Sequence, residues 1–235
     1  QVGHAAKATP LTLPMNVQLI TKQGEQGELP LSIPAERIGD QVTAAGIPFA
    51  IAKDGKNALR LAGQTLTLKK DTRRLALLLS ADSNRILDFT VGGKTVPCSV
   101  LSRTRRFASW DLYDLHETAH IQEGQLGYVS THSHNADGTD AIAKELYFYI
   151  LILNVQGGDT VVLPRDEETL VLAATELNTV AVPCVTPLYD RVEDRPFDYT
   201  MRLGDKLRYL RMKLPWYMGD KGRYFSCYNR GRERE

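Results

Sequence analysis

"RRLALLLSAD", residues 73–82, and "LYFYILILNV", residues 146–155, are the stretches whose reading decides the fold. Neither alternates between apolar and polar residues. A strand with one wet face carries a polar residue at every second position, so a nearly unbroken apolar run of this length predicts a strand buried on both sides, central in a sheet. Aromatic and β-branched residues fill the second run and favour a pleated, packed surface.

The segments around these two are also strand-like. "QTLTLKK" (64–70) has two-residue alternation, and "IPFAI" (47–51) and "ALRLAG" (58–63) are separated by the turn "AKDGKN". In "RILDFTVGGKTVPCSVL" (85–101) the pair Gly92–Gly93 divides two strand-like halves, a hairpin signal. "TLVLAAT" (169–175) and "NTVAVPCVTPL" (178–188) continue the rhythm. At the start, "LTLP" and "VQLI" read as short strands, while "PAERIGDQVTAAG" (34–46) has room for one helical turn. No run alternates strands with convincing helices. The expectation is an all-β, two-sheet antiparallel β-sandwich of jelly-roll type, with an antiparallel barrel as the alternative architecture.

The chain has 235 residues, 43% of them hydrophobic, enough for a sizeable core without crosslinks. Its 29 basic and 28 acidic residues nearly cancel, which gives no global reason for a nucleic-acid partner. Cys98, Cys184 and Cys227 make no disulfide framework, though one bridge with one thiol left over is open to them, and their spacing is wrong for a compact zinc knuckle. No apolar run has the length of a membrane-spanning helix. A first residue other than Met points to processing or a fragment: secreted or periplasmic placement follows if the N-terminus is processed, with the cytoplasm left open. Composition shifts near residue 190. From 201 to 235 there are ten basic and four acidic residues interleaved with rings, so the expected division is a sandwich over 1–190 and an irregular basic, aromatic extension over 191–235 that packs on the sandwich or on a partner. An oligomer is a further possible use of that surface.

Candidate chemistry gathers in the loops. His132 and His134 in "VSTHSHNADG" share a face if extended, so one metal ion could take both. His116 and His120 share a face if "DLYDLHETAH" is helical, with Glu117 or Glu123 as added ligands. Asp137, Thr139 and Asp140 give "NADGTD" the oxygen content of a calcium loop, but the EF-hand spacing is absent and a tight turn is the simpler reading. The expectation is therefore no cofactor and no metal, with zinc or calcium on His132, His134, Asp137 and Asp140 as the alternative. For sugar binding, an irregular stretch offers Arg105, Trp110, Asp111 and Tyr113, an aromatic platform beside hydrogen-bonding groups, with His132 and His134 as additional contacts. Acidic residues such as Asp111, Asp114, Glu117, Asp137 and Glu145 are numerous, yet nothing in the spacing pairs two of them across a glycosidic bond. There is no nucleophile elbow, P-loop or dinucleotide fingerprint.

The order "ERIGDQVTAAGIPFAI", "LAGQTLTL", "RRLALLLSAD", "DFTVGGKTV", "YVSTHSHNADGTD" and "YFYILILNVQGGDTVVLPRDEETLVLAAT", over residues 31–175, resembles the C-terminal β-rich region of the glycoside hydrolase family 38 alpha-mannosidases and their bacterial relatives. That resemblance implies a non-catalytic, carbohydrate-associated accessory sandwich that supports a missing glycosidase catalytic domain or contacts glycan. The family's zinc and nucleophile lie in its upstream catalytic region, so no catalytic role passes to His132, His134 or Asp137, and the "TH-x-H" motif implies loop architecture. Two other readings stay open: a metal-assisted sugar-processing enzyme using His132 and His134, and a purely structural packing module.

Overall fold

In the computed structural model the described residues are 7–105, 108–113, 116–121 and 124–179, with side chains described outside 106–123. The backbone divides into Gln1–Val185 and Thr186–Glu235. The basic aromatic extension, with Cys184 and Cys227, lies outside the described residues, as does any packing of it on the sandwich.

The two apolar runs form adjacent strands in the middle of the principal sheet, Arg74–Ser80 beside Tyr147–Asn154. The sheet runs from Ala8–Leu11 through Arg165–Leu177, Arg74–Ser80 and Tyr147–Asn154 to Gln125–Val129, and Leu59–Ala62 also pairs with Arg165–Leu177. All of these pairings are antiparallel. A four-stranded outer sheet is ordered Lys94–Val100, Arg85–Val91, Thr160–Val162, Thr65–Thr67. Gly92 and Gly93, with φ of 53° and 80°, form the tight link between its first two strands. This left-handed pair is what a two-residue hairpin of matching twist requires.

Successive side chains of Arg74–Ser80 enter two different cores. Leu75, Leu77 and Leu79 join Leu61, Leu66, Phe89 and Val161 between the principal and outer sheets. Ala76 and Leu78 join Ile20, Ile33, Phe49, Phe148 and Leu170 on the other face. The two-sheet expectation thus gains a layer: a smaller sheet, Asp140–Ala141, Ser133–Asn135, Leu31–Pro34 and Ile20–Thr21, and the hairpin Gln41–Ala44/Ile47–Ala50 supply residues to that second core. Arg165–Leu177 feeds both cores through a bulge. Register slips between Val171 and Ala173, so Leu172 and Ala173 both fall in the second core while Val171 and Ala174 face the first.

Two local expectations change. The "PAERIGDQVTAAG" segment holds one short 3-10 turn, Ala35–Arg37, and then a strand, Gln41–Ala44, closed by Ala45 and Gly46 at φ 51° and 74°. Ala45 is a non-glycine in the left-handed region, so its small side chain hid a hairpin turn. The condition that would put His116 and His120 on one helical face is not met by the described residues: His116–Ile121 is a strand paired with Ala108–Tyr113. No described helix is long and apolar enough to cross a membrane.

Candidate metal centre

The small sheet brings together residues about a hundred positions apart. Ser133–Asn135 sits between two partners: His134 lies opposite Ser32 on one side and opposite Asp140 on the other. Leu31–Pro34 then runs directly into the Ala35–Arg37 turn, which carries Glu36 to the same place. The 135–139 turn returns the chain within a few residues, with Gly138 N–H donating to Asn135 O at 2.9 Å and Asn135 N–H to Thr139 O at 2.8 Å. It is also tied to the Lys22–Gly27 loop through Gly24 N–H to Gly138 O at 3.1 Å and Gly27 N–H to Ala136 O at 3.0 Å. Gly138 has φ 82°, and a Cβ there would lie 2.7 Å from the Gly24 carbonyl carbon, so two backbones meet at a distance only glycine permits.

Glu36, His132 and His134 each direct one donor atom into a space where all three lie within 4.8 Å of one another. His134 Nε2 is 3.2 Å from Glu36 Oε1 and 3.5 Å from Asp140 Oδ1. His132 Nε2 is 3.9 Å from the same Asp140 oxygen, and the two imidazole centroids are 5.7 Å apart. Donor atoms about 2.0–2.1 Å from a zinc ion in tetrahedral array are separated by roughly 3.3 Å, so the shorter separations already match a shared ion. His134 is fully buried, the His132 side chain is 16% exposed, and the two carboxylates are about two-fifths exposed. The imidazoles therefore form the floor and the carboxylates the solvent rim.

The other ring nitrogens are held as well. His134 Nδ1 is 3.0 Å from Thr21 Oγ1, which is 2.7 Å from Ser32 Oγ, and His132 Nδ1 is 3.0 Å from Thr131 Oγ1. A hydroxyl partner on the far nitrogen fixes ring orientation, and where that nitrogen donates to the hydroxyl, Nε2 would offer a lone pair to a metal. Two imidazoles and a carboxylate suit Zn²⁺, with Fe²⁺ or Mn²⁺ as chemical neighbours. An ion held in this way can polarise an oxygen ligand or acidify a bound water.

The structure separates the two loop acids. Asp140 faces the imidazoles, whereas Asp137 Oδ1 accepts from Thr139 N–H at 3.0 Å and from Thr139 Oγ1–H at 2.6 Å. Those two bonds hold the Asp137 carboxyl below its usual range. Asp137 is thus tied into its own turn by Thr139. Of the sugar-binding candidates, Arg105 is exposed, with its N–H directed to Ser102 Oγ at 3.3 Å. Trp110, Asp111 and Tyr113 occupy Ala108–Tyr113, opposite Ala119, Thr118 and His116, and their side chains lie outside the described residues. Cys98 is a buried free thiol whose pKa is pushed up by burial, opposite to what a nucleophile needs.

Glu36 and Thr21 escaped the sequence reading. Nothing in "SIPAERIG" or "LITKQG" distinguishes those two residues, because only the pairing of Leu31–Pro34 with Ser133–Asn135 and with Ile20–Thr21 brings them to the histidines.

No curated protein matches the sequence significantly. A family model does match, over residues 6–180, and it describes a β-sandwich domain without reference to alpha-mannosidases. Both buried cores and the His132–His134 loop lie within that span, and the chain belongs to the family of AziU2-like β-sandwich domains.

Proposed function

We propose that this protein is a metal-binding β-sandwich domain that holds one divalent transition-metal ion, Zn²⁺ foremost, on Glu36, His132 and His134. Asp140 faces the ion's remaining positions. The observation that carries this reading is the convergence of three donors within 4.8 Å, from segments nearly a hundred residues apart. Hydroxyl partners on both far ring nitrogens strengthen it, since an orienting outer shell is typical of ligating histidines. Zn²⁺ titrated calorimetrically into chelator-treated protein is expected to bind at one equivalent. Glu36→Gln and His132→Asn should each weaken binding at least tenfold. Substoichiometric uptake, or variants that bind like the parent, would overturn the reading.

A second reading follows the resemblance to the accessory region of the alpha-mannosidases: a metal-free, carbohydrate-associated sandwich whose histidines only brace the loop. One observation favours it. His134 is fully buried with both ring nitrogens partnered by protein groups, as a bracing histidine would be. In that case chelator leaves thermal stability unchanged, Zn²⁺ adds nothing, and mannose oligomers titrate into the protein with saturable heat.

A further inference from the structure

A cavity of about 580 Å³ opens where the strand ends of the principal and outer sheets meet. Its polar lining is Arg73, Arg74, Lys94, Asn154, Gln156 and Asp159. Arg74 and Asn154 are register partners on the two central strands, and Lys94 begins the strand that follows the Gly92–Gly93 turn. None of these residues takes part in the imidazole site.

Several other cations of the sandwich have acids at hand. Lys53 pairs with Asp40, Lys56 with Glu28, Arg103 with Asp82, and Arg85 with both Asp166 and Glu168. The cations at this cavity are not paired in that way. Among the described residues Arg73, Arg74 and Lys94 form no ion pair, and the Arg74 Nε–H is buried without a hydrogen-bond partner. A guanidinium nitrogen left in that state costs free energy unless something outside the chain accepts from it. The one acid in the lining, Asp159, is bound into its own turn: its Oδ2 accepts from Gln156 N–H at 2.8 Å, and its N–H donates to Gln156 O at 2.9 Å. Three positive charges and one negative leave the lining with a surplus of two.

We propose that this cavity binds a phosphorylated small molecule, the phosphate held by Arg73, Arg74 and Lys94 and the remainder beside the Asn154 and Gln156 amides. A phosphate monoester carries roughly 1.5 to 2 negative charges at neutral pH, matching the surplus, whereas a single carboxylate matches half of it. Guanidinium forks donate paired N–H bonds to two oxygens of such a group, and a lysine adds a point charge. The volume falls within the usual range of small-molecule sites, about 300–1,000 Å³, and leaves room for an organic portion.

The test is calorimetric titration of the full chain, after chelator treatment, with phenyl phosphate, inorganic phosphate and benzoate. Saturable binding of phenyl phosphate, at least tenfold tighter than benzoate, is expected. Saturable but weaker binding of inorganic phosphate would also support the site, because it retains the charged part alone. Arg74→Gln and Lys94→Gln should each weaken phenyl phosphate at least fivefold, while Lys144→Gln, an exposed lysine elsewhere, leaves it unchanged. Lys94 is an exposed hairpin residue, so its variant keeps the test valid if Arg74→Gln unfolds the sheet. Phenyl phosphate no tighter than benzoate, or a Lys94→Gln protein that binds like the parent, overturns the proposal. Because the metal has been removed, neither result depends on the imidazole site.

Discussion

Thr21 Oγ1 lies 3.0 Å from His134 Nδ1, although 113 residues separate them in the chain. The contact exists because Ile20–Thr21 pairs in parallel with Leu31–Pro34, which pairs in turn with Ser133–Asn135. One hydroxyl thereby sets the orientation of a fully buried imidazole, and this relationship can be tested without touching a proposed ligand. Thr21→Val preserves shape and removes the partner. Zn²⁺ affinity should fall about 10- to 100-fold, as it does when outer-shell partners of ligating histidines are lost. The metal-free protein should lose about 1–3 kcal/mol in urea unfolding, the cost of an unsatisfied buried nitrogen. A stability loss with no change in affinity would assign Thr21 a bracing role only.

Asp137 and Asp140 are three residues apart and should behave differently. Asp140→Asn removes the carboxylate facing both imidazole Nε2 atoms and should weaken Zn²⁺ several-fold. Asp137→Asn removes a charge engaged with Thr139 and should leave metal affinity unchanged while loosening the 135–139 turn. Side-by-side titration of the two variants decides this. Equal effects would show that the loop acts only through its net charge.

Leu77 and Leu78 are neighbours in sequence and belong to different cores. Each is fully buried, so Leu→Ala at either position should cost about 2–5 kcal/mol. Because the two cavities would open on opposite faces of the principal sheet, in separate clusters, the double variant should come close to the sum of the single ones. Chemical denaturation of the four proteins measures the coupling. A larger departure from additivity would mean that the two faces relax together.

The Tyr128 phenol is pushed up to about 12 by burial, and Tyr149 to about 12 by burial first and then by the neighbouring Tyr147. An unfolded tyrosine ionises near 10. Between about pH 10 and pH 12 the unfolded chain has released these protons and the folded chain still holds them, so stability falls as pH rises through that window. Below pH 10 both states are protonated and the contribution is constant. Tyr128→Phe should flatten part of the alkaline decline. Absorbance titration at the phenolate band should show one late-titrating tyrosine fewer.

The sequence by itself determined the all-β class and the centre of the sandwich. Unbroken apolar runs such as 73–82 and 146–155 are tolerated only where both faces of a strand are dry, and two glycines between alternating segments leave a hairpin as the economical backbone path. These are local signals, carried by residues that are neighbours in the chain. The added layer was not legible in the same way, because Ala45 closes its hairpin in a conformation usually marked by glycine or asparagine, and Gln41–Ala44 is too short to declare a period. The candidate metal centre was half visible. His132 and His134 stand two residues apart and announce a shared face, whereas Glu36 and Thr21 reach them only through strand pairing between segments about a hundred residues distant. Tertiary structure alone decided which of Asp137 and Asp140 faces the imidazoles, since strand register sets Asp140 opposite His134 and leaves Asp137 inside the turn. Register is a property of the assembled sheet, fixed by which apolar faces must be buried together, and no spacing within one segment encodes it.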